Sequence, residues 1–181
     1  MHYNGLYNMM NQTLEQYQSK FQNKIQPTSN PQPDLLMDCF NLSHSKKLEN
    51  MQYWNRELGH CWQKLINQIF HEHQGYQTAL KIGRDEPCDL IVDSYAIDTK
   101  YRIGSGDSGT IKKIKRYGDI LKELHLEPVL LILREDNLRG PINGLKNWSI
   151  FTGEETFEFI QKHSGFNLKE YLVENRGRFT L

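Results

Sequence analysis

Asp98 and Lys100 stand as acid-x-lysine in the stretch YAIDTKYR, and Asp89 precedes them in EPCDLIVD. In extended chain the side chains alternate with period two, so Asp98 and Lys100 share a face. Counted outward from a two-residue turn at Asp93 and Ser94, Asp89 falls directly opposite Asp98, with β-carbons ~5 Å apart. Two carboxylates held so close repel unless a cation sits between them, and hard oxygen donors at ~2.1 Å are what Mg²⁺ prefers. Asp89, Asp98 and the carbonyl of Thr99 are therefore the expected metal ligands. Lys100 would orient or help deprotonate a bound water and neutralise charge developing on phosphorus, which makes phosphodiester hydrolysis the expected chemistry. The plainer reading is a solvated hairpin whose Asp–Lys contacts are worth only ~0 to 1 kcal/mol. It leaves unexplained why an acid, Glu57, interrupts the edge of an apolar arc in the preceding helix.

The same stretch continues into Gly104, Gly106 and Gly109, which spell G-x-G-x-x-G. A dinucleotide fingerprint needs an apolar strand before these glycines and an acid ending a second strand about 20 residues on. Here the preceding strand carries Asp98, Lys100 and Arg102, and the next acids of that kind, Glu135 and Asp136, come too late. A P-loop also fails, because Thr110 stands where lysine is required. The glycines read instead as a loop that lets backbone approach a phosphate, and no nucleotide cofactor is expected. The helix after the loop crowds Lys112, Lys113, Lys115 and Arg116 into its first half, where a purely structural helix favours acids. Arg102, Ser105 and Ser108 around the loop, with Lys112, Lys113 and Arg116 on the helix, are the expected DNA contacts.

These residues need elements to hold them. Trp54, Leu58, Cys61, Trp62, Leu65 and Ile69 recur at three- and four-residue steps and predict a helix from Asn50 to Phe70, with Glu57 at the edge of its arc. YQTALKI, DLIVD and YAIDTKYR predict three consecutive strands. Ile111, Ile114, Leu121 and Leu124 mark a helix, VLLILR a buried strand, SIFTG a short strand, and EETFEFIQKH and NLKEYLVEN two closing helices. Ahead of this core, Leu6, Met10, Leu14, Tyr17, Phe21 and Ile25 form an apolar stripe over residues 5 to 25, which three prolines within residues 27–33 then interrupt. The expected organisation is an N-terminal helical arm and Pro-rich linker over 1–34 and one catalytic domain over 35–181. The arm would pack on its own core or pair two subunits.

Composition narrows the class. The 181 residues suffice for one domain and an extension, and 22 basic against 22 acidic side chains steer the chain as a whole to no polyanion, so DNA affinity must be local. Three widely spaced cysteines make neither a disulfide framework nor a zinc ribbon and favour a reducing, cytoplasmic setting. His71 and His73 lack the H-E-x-x-H spacing of a zinc site. No apolar run approaches a membrane span, and the start MHYNGLYNMMNQ has no signal-peptide pattern, so neither membrane attachment nor export is expected. The polar stretch REDNLRGPINGLKNW, with Arg134, Arg139 and Lys146, is a place for base-reading side chains.

Glu57 on a helix, Asp89 in EPCDLIVD and Asp98-Thr99-Lys100 in YAIDTKYR, followed by a helix and an apolar strand, resemble the PD-(D/E)XK nuclease superfamily over roughly residues 50 to 135. Size and autonomy resemble a type II restriction endonuclease. Cys88 separates Pro87 from Asp89, where the family often has proline directly before the acid, and Asp98 replaces the commoner glutamate. The resemblance implies an α/β restriction-endonuclease-like core, a mixed sheet flanked by helices, and Mg²⁺-dependent, site-specific cleavage of double-stranded DNA by a homodimer. It gives Asp89, Asp98, Lys100 and Glu57 as the catalytic set. The alternatives are a structure-directed repair or recombination nuclease and a non-catalytic DNA-binding module of the same fold.

Overall fold

The computed structural model describes residues 33–104, 108–136 and 141–181, so the predicted arm over residues 5–25 and Ser105 lie outside the described residues. Residues 33–181 form one compact unit.

Two short helices open it, α1 (Leu35–Cys39) and α2 (His44–Glu49). The sequence reading names neither, because five or six residues are too few to display a helical period; only their caps mark them. Asp34 accepts from the Met37 amide at 3.0 Å and Ser43 from the Lys46 amide at 3.2 Å. The long helix α3 (Met51–Phe70) starts at Asn50, whose side chain caps the Tyr53 amide. Its buried line is Leu58, Trp62, Ile66 and Phe70, every fourth residue, while Trp54, Cys61, Leu65 and Ile69 flank it half-buried. The predicted arc is thus turned by one position, toward residues that the sequence reading left out.

Strands β1 (Tyr76–Ile82), β2 (Asp85–Val92) and β3 (Tyr95–Lys100) form an antiparallel meander; β2 begins four residues earlier than predicted. Helix α4 (Ser108–Glu123) crosses to β4 (Glu127–Ile132), parallel to β3, and β5 (Ser149–Thr152) lies parallel to β4. The sheet is mixed and open, in the order β1-β2-β3-β4-β5. Helices α5 (Glu154–Ser164) and α6 (Leu168–Glu174) close the unit.

Strand alternation divides the apolar side chains between two cores, as a sheet covered on both faces requires. Leu90, Val92, Ile97, Val129 and Leu131 pack against α3, α5 and α6, while Ile91, Ala96, Leu130 and Ile132 pack against Ile114, Tyr117 and Leu121 of α4. Gly118 of α4 lies against the Trp148 indole on the second face, so closely that a β-carbon there would overlap the ring. Among the described residues, no helix is long and apolar enough to cross a membrane.

Candidate functional site

The hairpin register is the predicted one. Asp93, at φ 52°, turns the chain with Ser94, and Val92↔Tyr95, Ile91↔Ala96 and Leu90↔Ile97 pair across it. One further step sets Asp89 across from Asp98, but there the main-chain ladder ends. The Thr99 amide donates to Asp89 Oδ2 at 2.7 Å, and the Thr99 hydroxyl donates to the same oxygen at 2.6 Å. A carboxylate thus replaces the backbone acceptor. Around this point β2 also changes sides. Cys88 belongs to the α4-side core, whereas Leu90 and Val92 belong to the other, so simple alternation does not carry through Asp89.

Asp98 and Lys100 keep to one face, as alternation requires. Lys100 Nζ donates to Asp98 Oδ1 at 2.7 Å and to the Thr99 carbonyl at 3.2 Å. Burial raises the Asp98 pKa to about 6; Lys100 opposes the rise and Asp89 adds to it. Burial also works to lower the Lys100 pKa, yet the carboxylates of Asp98 and Asp89 outweigh it and the ammonium holds its proton more tightly than usual. The structure thus brings together Asp89, Asp98, Thr99 and Lys100.

Glu57 is placed differently. Its carboxylate pairs with Arg56 at 3.0 Å on an exposed part of α3. The α3 side chain that reaches the acids is Gln63, whose Nε2 donates to Asp89 Oδ1 at 2.6 Å. Sequence reasoning passed over Gln63 because it sought a charge at the edge of the arc; the available signal was a polar residue directly after the buried Trp62. Among the described residues, no group of three or more His, Cys, Asp and Glu side chains is arranged to hold a metal ion.

The expected DNA contacts divide into used and unused cations. Lys112 and Ser108 are exposed on α4, and Lys113 lies over the Tyr117 ring at 5.3 Å. Arg116 reaches Asp85 at 3.1 Å, and Asp85 also accepts from the Tyr117 hydroxyl at 2.8 Å, so this arginine tethers α4 to the start of β2. Arg102 pairs with Asp136 at 3.0 Å. Arg134, which the sequence placed in a base-reading loop, is 9% exposed and structural: it binds Asp34 at 2.8 Å and Asp136 at 2.7 Å. Asp34 also accepts from the Tyr101 hydroxyl at 2.5 Å, and that hydroxyl accepts from the buried Lys47 at 2.8 Å. Burial, reinforced by Arg134, lowers the Lys47 pKa to about 8. This network braces the residue that follows Lys100.

No family model, curated protein or solved structure matches the chain.

Proposed function

We propose that the chain is a Mg²⁺-dependent endodeoxyribonuclease of the type II restriction kind, cutting double-stranded DNA at a specific sequence as a homodimer. The observation that carries this reading is the convergence, where β2 and β3 separate, of the bonded pair Asp98 and Lys100 with Asp89, which Thr99 of the same strand holds by its amide. The mixed sheet flanked by helices is compatible with the PD-(D/E)XK core that the sequence resembles.

The donor set suits a hard dication. Asp89 and Asp98 offer carboxylate oxygens and Thr99 a carbonyl, and burial, which raises the Asp98 pKa even beside Lys100, favours a further cation at that carboxylate. Mg²⁺, when bound, supplies Lewis acidity and lowers the pKa of a coordinated water. The chain's own residues do the rest. Asp89, held by Gln63 and Thr99, presents fixed oxygens. Lys100, kept as an ammonium, orients the attacking water and neutralises charge that develops on the phosphate oxygens. Lys112 and its neighbours on α4 hold the phosphate backbone.

Digestion of a DNA of known sequence by the intact chain tests the reading. Discrete fragments are expected with Mg²⁺, none with excess chelator, and none from Asp98→Ala. A smear of products would favour a structure-directed nuclease, and full cutting in chelator would remove the metal chemistry.

A further inference from the structure

Asp89 is the most heavily restrained carboxylate of the site. Thr99 supplies two hydrogen bonds to Oδ2, and Gln63 supplies one to Oδ1. Gln63 is itself braced along α3. The Asn67 side-chain nitrogen donates back to the Gln63 main-chain carbonyl at 3.1 Å, and the Asn67 side-chain oxygen accepts from the Tyr76 hydroxyl at 3.2 Å. We infer that Gln63 is the positioning residue for Asp89, and that its neutral amide limits the centre to a single divalent cation. The inference rests on the metal-dependent reading above.

Two consequences of the contacts support it. First, the three donors take both lone-pair directions of Oδ2 and one of Oδ1, so the direction left on Oδ1 is fixed by Gln63 before an ion arrives and little ordering is left for binding to accomplish. Second, Asp89, Asp98 and Lys100 together carry one negative charge. One dication reverses that to one positive charge, which the single negative charge of a phosphodiester then cancels. A second dication needs carboxylate oxygens of its own. Among the described residues no third acid joins the pair, and the α3 side chain that faces Asp89 is an amide of nearly the shape of glutamate.

Calorimetric titration of the intact, metal-free chain with Mn²⁺ tests this without measuring cleavage. Heat from surface binding is removed by subtracting the Asp89→Asn, Asp98→Asn double variant. One ion per chain is expected for the parent. Gln63→Leu should keep that stoichiometry and weaken binding by roughly 10- to 100-fold, the usual effect of losing a residue that orients a ligand. Gln63→Glu should take up a second ion. Two ions in the parent, parent-like affinity in Gln63→Leu, or a single ion in Gln63→Glu would overturn the inference. If Gln63→Leu fails to fold by its melting profile, Gln63→Glu, which keeps the side-chain shape, carries the test. A parent that gives no heat beyond the double variant would instead overturn the metal-dependent reading itself.

Discussion

Asp98 and Lys100 form a 2.7 Å ion pair in which both partners hold their protons more tightly than in water. The two rises have different causes: burial for Asp98, and for Lys100 the neighbouring carboxylates, which outweigh burial. The Asp98 side chain is 9% exposed and cannot recover its lost hydration, whereas the Lys100 side chain, at 29%, keeps part of its own and gains two carboxylate neighbours.

Without metal, the ionised Asp98 therefore opposes folding. Its pKa moves from 3.8 to about 6, so between those values the folded chain holds a proton that the unfolded chain has released, and stability falls as pH rises from about 4 to 6. At about 1.4 kcal/mol per unit the whole effect is ~3 kcal/mol at most. In chelator, Asp98→Asn should melt above the parent at pH about 7.5 and gain little at pH about 4, while losing cleavage by orders of magnitude. A variant that melts lower at pH about 7.5 would contradict the burial argument.

Lys112 and Arg116 lie one turn apart on α4 but should behave differently. Lys112 is exposed and forms no ion pair among the described residues, so Lys112→Ala should weaken binding to cognate and random duplexes alike and flatten the salt slope by about one unit. Arg116→Ala also releases Asp85, and so should lower the melting temperature in the absence of DNA. Binding across a salt series, with melts of both variants, separates the roles; a Lys112→Ala defect confined to cognate DNA would be the contrary result.

Tyr101→Phe removes one hydroxyl from between Asp34 and Lys47, leaving each without that partner in a buried setting. A loss of about 1–3 kcal/mol is expected in denaturant unfolding. An unchanged midpoint would mean that Arg134 and the Met37 amide satisfy Asp34 without the hydroxyl.

Gly118→Ala should destabilise by about 1–3 kcal/mol, because the added methyl meets the Trp148 indole, whose Nε1 is already committed to the Ile114 carbonyl at 2.9 Å. The usual helix gain from alanine, ~1 kcal/mol, has the opposite sign. Chemical denaturation of the two proteins shows which term wins.

The hairpin was legible because turn and period agree: a two-residue turn at Asp93 and Ser94 leaves only one register that buries Leu90 and Ile97 on one face and Ile91 and Ala96 on the other. The element order from α3 onward was legible for the same reason, since each element is long enough to display its period. Three features were not. Helices α1 and α2 are shorter than two helical turns and are announced only by Asp34 and Ser43. The break in alternation at Asp89 arises from the strand's path through three dimensions, to which a count of residues is blind. Gln63 was missed because its part depends on where α3 lies against the sheet, whereas Glu57 attracted notice through a charge that the fold leaves to Arg56 and solvent.

The Thr99 amide, bonded to a side chain where the rest of its strand bonds to main chain, gives the protein a spectroscopic gauge. The chemical shift of an amide proton follows the charge on its acceptor, and this acceptor is one of the two carboxylates among the proposed metal ligands. A single resonance in an amide-detected spectrum should therefore move when the Asp89 carboxylate takes up an ion, while the amides of Leu90 and Ile97, secured within the regular ladder, stay still.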